Sequence, residues 1–384
     1  KDLVKNQADG TYDDSIGKLR YAAIAGKVYR VAKPGAVWRI TKTLVDGPSL
    51  RSTPSEKLVI DPDRHTVHYG KAVSKMINEY TASREVSRIL NIEAVGMEQI
   101  RARHPAKASQ IVKAIDLARY YAFNSLHNLA QARHLVKGTR LDGLFKIVFD
   151  VKDVDTDLLD KIKKAITPIC TALVDPDDDL MNTERFVVGS TKDPQDVLIA
   201  FVIDEDSRRH VHFTQRFFDQ QLGQYNACLT EPFDVDGHAQ AATLIHEFSH
   251  AITQSADIAY LEARRPFSDL ISSITSFGAS LKTRQERYQR EALSLATPRD
   301  ELFARWSNEL QEWISLDSIP GAENAGKAIL KITGCKKMAD ARSAFRNPVN
   351  ADLRIDTILR NADSIAYLIC QMGRQLDPVP VSTP

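Results

Sequence analysis

The residues best suited to chemistry are two histidines four positions apart, His246 and His250, with Glu247 between them. On a helix this spacing places both imidazoles on one face, one turn apart, where they can bind the same metal ion. Glu247 lies beside that face and can accept a proton from a water molecule. The preceding segment 241–245 is small and apolar, which predicts a buried helix. The pattern therefore predicts a zinc site that activates water.

A catalytic zinc ion takes three protein ligands and keeps one position open. The third ligand must come from further along the chain, because only two histidines of the motif can reach the metal. Acidic residues downstream of the helix are the candidates, namely Asp257, Glu262 and Asp269. Residue type and spacing alone leave these three alternatives open.

The segment Ser255–Tyr260 resembles the Thr-x-Asp-x-x-Tyr segment that follows His-Glu-x-x-His in the Asp-zincin metallopeptidases, the family of deuterolysin and lysine-specific metalloendopeptidase. The resemblance implies that Asp257 is the third zinc ligand. It also implies that Tyr260 stabilises the oxyanion of the transition state. The expected activity is that of a zinc-dependent endopeptidase, in which Glu247 is the general base and a protein is the substrate.

A second segment, Asn361–Tyr367, resembles the Asn-Ala-Asp-x-x-x-Tyr helix that closes the catalytic domain of this family. Within it, Asp363 is a candidate for a carboxylate that orients one of the ligand histidines. An alternative interpretation is that Asp363 is simply an acidic residue at a helix N-terminus, where the helix dipole favours it. The resemblance covers residues 106–384.

Two departures from the family pattern concern the fold around the motif. Gln254, Ser255 and Leu261 stand where the family has Gly, Thr and Gly, which predicts a different turn around Asp257. The stretch from Leu261 onward to the second motif is also long for this family. We therefore predict a helical insertion at about residues 262–355.

The periodicity of apolar residues predicts the elements that must position these motifs. Helices are predicted at residues 106–135, 158–173, 237–260 and 361–374, and strands at 197–203 and 210–217. His210 and His212 share one face of the second strand, and a His-x-His pair can bind metal. We instead expect them to form an exposed strand face. The predicted fold is α+β, a mainly helical zincin-like metallopeptidase domain with a small sheet.

The N-terminal part of the chain has a different pattern. Residues 26–31 and 37–40 alternate between apolar and polar types and flank a Pro-Gly turn, which predicts a hairpin. We predict a small β-rich module with a helix at residues 1–105, followed by the metallopeptidase domain at 106–384. The module weakly resembles small β-modules of very large bacterial toxins and effectors. The alternative is an accessory domain that packs on the catalytic domain.

The overall composition excludes several classes of function. The 384 residues include 51 basic and 50 acidic side chains, and the formal charge of +1 predicts no general attraction to nucleic acid. The longest apolar run, at 197–203, is far shorter than the roughly 20 residues that span a bilayer. The 4 cysteines are widely spaced, which argues against a disulfide scaffold or a cysteine-based zinc site.

The chain begins with Lys1 rather than Met. We therefore expect a piece of a larger secreted protein of bacterial type, delivered into a target cell, with other domains of a toxin chain as partners. A competing hypothesis is a zinc-bearing toxin scaffold or binding protein without proteolytic activity. The sequence gives no substrate and no cleavage specificity.

Overall fold

A computed structural model of the chain describes residues 83–377, except 133–136, 176–177, 204–205 and 207, together with the backbone of five strands between residues 3 and 46. The described part is mainly helical, with a small mixed sheet and a separate two-stranded hairpin. This arrangement confirms the α+β class that the sequence predicts. Among the described residues, no helix combines the length and the apolar character that crossing a membrane requires.

The helices follow one another along the described chain as α1 (Arg84–Ile89), α2 (Gly96–Arg103), α3 (Pro105–Gln131), α4 (Arg140–Phe149), α5 (Thr156–Val174), α6 (Gln215–Phe218), α7 (Val235–Thr253), α8 (Ser276–Glu291), α9 (Glu323–Thr333), α10 (Met338–Arg346), α11 (Ala351–Arg360) and α12 (Ala362–Gly373). Several helices begin at Ser, Thr or Asp side chains that accept a hydrogen bond from the first turn, as N-caps do. The helices predicted at 106–135, 158–173 and 361–374 correspond to α3, α5 and α12.

The strands are β1 (Leu3–Lys5), β2 (Tyr12–Asp14), β3 (Arg20–Ile24), β4 (Lys27–Ala32), β5 (Arg39–Asp46), β6 (Leu90–Val95), β7 (Phe186–Thr191), β8 (Ala200–Val202), β9 (Val211–Phe213), β10 (Ala304–Ser307) and β11 (Glu312–Ser315). The mixed sheet has the order β6-β7-β9-β8. Strands β7 and β9 are parallel, and the other neighbours are antiparallel. Strand β8 therefore forms one edge of this sheet.

Strands β1 to β5 form an antiparallel sheet in sequence order. Most of the module predicted at residues 1–105 lies outside the described residues and stays a prediction. Strand β6 pairs with β7, so residues 90–95 belong with the helical body, although the sequence pattern assigns them to the N-terminal module.

The centre of the helical body is α3, which packs against α5, α7 and α12. Helix α12 approaches α3 so closely that a Cβ atom on Gly373 would lie 2.1 Å from the carbonyl oxygen of Tyr121, which leaves space for glycine alone. Buried side chains of α3 bond to the same end of α12. Asn124 donates to the carbonyl of Gly373 and Asn128 to that of Met372. These contacts hold the C-terminal end of α12 against α3.

Three predictions about secondary structure are wrong in detail. The strand predicted at 197–203 is only three residues long, and Val197 is 79% exposed. The strand predicted at 210–217 ends at Phe213, and the helix α6 follows it. The insertion predicted as helical contains the hairpin β10–β11 between α8 and α9. Apolar runs and alternation do not show whether a strand is central, at an edge or absent, because that depends on its neighbours.

Candidate metal centre

Helix α7 carries the two histidines of the motif. It begins at Asp234, whose carboxylate accepts a hydrogen bond from the amide of Gly237 at 2.9 Å. A Cβ atom at Gly237 would lie 2.3 Å from that carboxylate, so a larger residue there would require the Asp234 side chain to shift. The helix ends at Thr253, and Gln254 adopts a left-handed conformation with φ 53°. The helix predicted to continue to residue 260 is therefore wrong at its end, because the chain turns away seven residues earlier.

The turn brings Asp257 back onto the two histidines. Oδ1 of Asp257 lies 3.0 Å from Nε2 of His246 and 3.4 Å from Nε2 of His250. The two Nε2 atoms are 3.1 Å apart. These three side chains form the one group of histidine, cysteine and acidic residues in the described part of the chain whose ligand atoms converge closely enough to hold a metal ion.

The other nitrogen of each imidazole is already engaged. Nδ1 of His250 donates to the carbonyl oxygen of Ser255 at 2.8 Å. Nδ1 of His246 faces Oδ1 of Asp363 at 3.5 Å. With the proton on Nδ1, each Nε2 directs a lone pair toward the space between the three ligand atoms. Such an outer hydrogen bond fixes the tautomer and the orientation of a metal-binding histidine. Asp363 also occupies the first turn of α12, so its position is compatible with both interpretations of this residue, and its role toward a metal-bound histidine stays a prediction.

The donor set fits a zinc ion. Two imidazole nitrogens and one carboxylate oxygen are common zinc ligands, with bonds of about 2.0–2.1 Å. Around a tetrahedral ion, bonds of that length place neighbouring ligand atoms about 3.3 Å apart. The three distances within the cluster are close to this value. Three electron-rich atoms at such separations repel one another unless a cation or a proton lies between them.

The charges of the protein alone also favour a cation within this cluster. Burial lowers the pKa of His246, but Asp257 and Asp363 outweigh burial and hold that pKa well above its ordinary value. Burial raises the pKa of Asp257, but the charges and hydrogen bonds of the two histidines hold it well below its ordinary value. The cluster therefore favours an added positive charge at the point where the three side chains meet.

Glu247 lies at the floor of the same cleft and is 4% exposed. Its Oε2 atom is buried and has no hydrogen-bond partner among the described residues. Burial raises the pKa of this carboxyl group, against the opposing influence of the two histidines. A buried carboxyl with an unused oxygen and a raised pKa is suited to take up a proton from a group that enters the cleft.

The segment 255–260 is held from the interior by Asn361. Its side-chain oxygen accepts hydrogen bonds from the amides of Ile258 and Ala259, each at 3.0 Å. Its side-chain nitrogen donates to the carbonyl of Ala259 at 2.9 Å. The backbone of Ala256 also forms a parallel bridge with Asn361. Asn361 directly precedes α12, and its side chain binds the loop 255–260 and makes no capping hydrogen bond to the helix amides.

Tyr260 and Arg305 form the outer wall beside the ligands. The ring of Tyr260 is nearly parallel to that of His246, with centroids 6.3 Å apart, and the residue is 45% exposed. The guanidinium of Arg305 lies 4.7 Å from the centre of the Tyr260 ring. No sequence motif marks Arg305, because it belongs to the hairpin β10–β11 and reaches the site only through the tertiary fold.

The cluster opens into a cleft of about 920 Å³. Residues 197–203, which include edge strand β8, line this cleft together with residues 319–325 and Lys327. Arg264 and Arg305 also line this cleft. The exposed Val197 lies at its rim. The cleft thus contains both the metal-ligand cluster and strand β8, the edge of the mixed sheet in the described part of the chain.

The other candidate ligands lie elsewhere or are engaged. Glu262 pairs with Arg265 at 2.9 Å, and Asp269 pairs with Arg374 at 2.7 Å. His210 and His212 are buried, at 6% and 1% exposure, so the exposed strand face expected from the sequence is wrong. His210 bonds to Asp206 at 2.6 Å, and neither histidine joins the ligand cluster. Alternation shows that the two share a face but not that a sheet neighbour covers it.

No protein-family model, curated protein or solved structure matches this chain in comparisons with known proteins.

Proposed function

We propose that this chain is a zinc-dependent endopeptidase of the Asp-zincin type, with His246, His250 and Asp257 as the zinc ligands. One observation carries the proposal. The three ligand atoms converge to within 3.0–3.4 Å of one another beside a buried carboxyl group, Glu247, in a cleft lined by strand β8, which is the edge of its sheet among the described residues.

The cleft suits an extended peptide. Strand β8 has β9 on one side, and as the edge of its sheet it offers the other side for pairing. An extended chain can add to such an edge through main-chain hydrogen bonds, which provide affinity without requiring a particular sequence. The adjacent residues from Val197 to Ile203 are mostly apolar and line the cleft, so they can accept side chains of the bound segment.

The chemistry divides among the residues of the chain. Zinc, when bound, would polarise the scissile carbonyl and lower the pKa of a water molecule toward about 7. Glu247 accepts the proton of the attacking water and passes it to the leaving amine. The hydroxyl of Tyr260 donates to the oxygen of the former carbonyl as negative charge develops there. Asp363 and the carbonyl of Ser255 keep the two imidazoles in the tautomer that binds metal.

The test is Glu247→Gln, which keeps the shape of the side chain and removes the base. We expect stoichiometric zinc in both wild type and variant, measured by metal analysis after dialysis. Cleavage of a peptide library should fall by about 10²- to 10⁴-fold, the usual contribution of a general base. Because Oε2 of Glu247 has no partner among the described residues, the variant should fold with undiminished stability in urea.

Two other results would change the assignment. Zinc with no cleavage that depends on Glu247 would favour the zinc-bearing scaffold or binding protein. Protein that takes up no zinc in either form would contradict the metal centre itself. The proposal that the enzyme is secreted, or delivered as part of a larger bacterial toxin, comes from the sequence alone. It is tested separately, by locating the full-length protein in the producing cells and in the medium.

A further inference from the structure

The hairpin β10–β11 of the insertion reaches the ligand loop through Arg305. Its Nη1 atom donates to the carbonyl oxygen of Ile258 at 2.8 Å. Its Nη2 atom donates to the carbonyl oxygen of Asp257 at 2.6 Å. The planar guanidinium thus spans two successive carbonyls, and it also lies over the ring of Tyr260 at 4.7 Å. A single side chain contacts the backbone of the third ligand and the tyrosine beside it.

Arg305 complements Asn361 on this loop. Asn361 binds the amides of Ile258 and Ala259, whereas Arg305 binds the carbonyls of Asp257 and Ile258. Together they bind both polar groups of the Asp257–Ile258 peptide: Arg305 binds its carbonyl oxygen and Asn361 binds its amide. Because only Cβ and Cγ separate the ligand oxygen of Asp257 from this restrained backbone, restraining the backbone restrains that oxygen.

The charge of Arg305 makes its position informative. A guanidinium close to a cation-binding cluster opposes cation binding by Coulomb repulsion. If its charge were its main effect on the centre, removing Arg305 would strengthen metal binding. If its hydrogen bonds to the ligand loop were the main effect, removal would weaken metal binding. The two possibilities predict opposite signs.

We propose that Arg305 is a positioning residue and that the insertion hairpin is therefore part of the metal centre, fixing Asp257 as third ligand and Tyr260 beside it. This inference rests on the metal site of the proposed function, but not on peptide cleavage. It makes the insertion a structural requirement for metal binding.

The experiment compares zinc affinities, measured by competition with a chromophoric chelator, for wild type, Arg305→Gln and Arg305→Lys. We expect Arg305→Gln to bind zinc about 10- to 100-fold more weakly, the usual loss for residues that orient metal ligands. Arg305→Lys should recover part of the loss, because an ammonium donates to one carbonyl but cannot span two. The matched control is Arg264→Gln. Arg264 bonds to Glu262 and Gln220, away from the ligand loop. The zinc affinity of the Arg264→Gln variant should therefore equal that of wild type.

A double-mutant cycle with Asp257→Ala separates positioning from a general loss of structure. If Arg305 acts through Asp257, Arg305→Gln should lower zinc affinity little further once Asp257 is gone. An equal loss in the presence and absence of Asp257, unchanged affinity, or tighter binding in Arg305→Gln would each overturn the proposal. Should Arg305→Gln fail to fold by circular dichroism, Arg305→Lys decides alone, and wild-type affinity in that variant overturns the proposal.

These affinities are independent of the proposed reaction. A protein that binds zinc through Asp257 and Arg305 but cleaves no peptide would contradict the peptidase and leave this inference standing. Conversely, a Glu247-dependent peptidase in which Arg305→Gln binds zinc normally would support the proposed function and overturn the role of Arg305.

Discussion

Helix α7 and the loop at residues 255–260 contribute to the same metal-ligand cluster, but they are positioned in different ways. In the helix, the four-residue spacing of His246 and His250 places both rings on one face whatever surrounds it. In the loop, Asp257 reaches the cluster because Asn361 and Arg305 hold the backbone around it, from positions about 100 and 50 residues further along the chain. Two candidate ligands are thus placed by local geometry and the third by the tertiary fold.

The difference implies different sensitivities to substitution. Changes in the residues around α7 should alter stability while leaving the relative placement of the two histidines intact, because the helix itself determines it. Changes in the residues that hold the loop should affect both stability and metal binding, because without them nothing local keeps Asp257 near the histidines. Mutations outside the ligand set can therefore test the comparison.

The largest expected effect is that of Asn361→Ala. The substitution leaves the buried amides of Ile258 and Ala259 and the carbonyl of Ala259 without their partner. At about 1–3 kcal/mol for each buried polar group left unpaired, we expect a loss of about 4 kcal/mol in the free energy of unfolding, measured in urea. Zinc affinity of the folded fraction should also fall, by about 10-fold or more.

The matched control for this prediction is Asn128→Ala. Asn128 is equally buried and also binds three backbone groups, the carbonyls of Met372 and Gln375 and the amide of Asp377, but it is remote from the ligand loop. The Asn128→Ala variant should lose a comparable free energy of unfolding and keep the zinc affinity of wild type. Equal zinc affinity in the two variants would show that the loop does not depend on Asn361 for its position.

The contrast also explains how much of the site the sequence can predict. The motif on α7 identifies two candidate ligands and the proposed general base directly, since helical periodicity converts spacing into position. Residue type alone leaves Asp257, Glu262 and Asp269 as alternatives, since nothing local shows which acidic residue folds back. In the structure, Gln254 in a left-handed conformation ends the helix and Asn361 draws the loop inward. Both determinants are non-local or conformational, so a pattern search does not detect them.

The next effect concerns His238, which joins α7 to the segment after the loop. Its Nε2 donates to the carbonyls of Ala263 and Arg265, and its Nδ1 accepts from the hydroxyl of Tyr121. Burial lowers the pKa of His238 to about 4. In the unfolded chain the pKa is about 6.5, so the folded state favours the neutral ring. Stability from this group is complete above pH 6.5 and is lost as pH falls from 6.5 toward 4.

The measurement compares the urea unfolding of wild type and His238→Gln in chelator between pH 7 and pH 4. The difference of about 2.5 pKa units corresponds to about 3 kcal/mol, so the stability advantage of wild type should shrink by that amount across the range. Titration of the ligand residues occurs in both proteins and cancels. A difference that stays constant with pH would contradict a neutral, buried His238.

The segment at residues 262–355, predicted as a helical insertion, also contains structure that depends on non-local contacts and that the sequence pattern does not reveal. Its helices α8, α9 and α10 follow from the sequence pattern, but its hairpin does not, since Arg305–Trp306 and Trp313–Ile314 form strands by pairing with each other. On this hairpin Trp306 packs against Trp313, with ring centroids 5.6 Å apart, whereas Arg305 reaches the ligand loop. Cross-strand pairs of this kind stabilise a hairpin, but they become recognisable only when the register is known.

The smallest expected effect tests whether the choice of third ligand is as sharp as the structure implies. Glu262→Gln and Asp269→Asn remove the two alternative carboxylates, which pair instead with Arg265 and Arg374. Asp269 is 61% exposed, so its ion pair should contribute about 0–1 kcal/mol, whereas the Glu262–Arg265 pair is largely buried and its loss should cost more stability. We expect wild-type zinc affinity in both variants. Asp257→Asn should weaken zinc binding far more, because only that oxygen lies within 3.4 Å of both histidine nitrogens. A loss of zinc in Glu262→Gln that matched the loss in Asp257→Asn would mean that the loop rearranges when metal binds. The contrast between a rigid helix and a loop fixed by distant residues would then apply only to the metal-free protein.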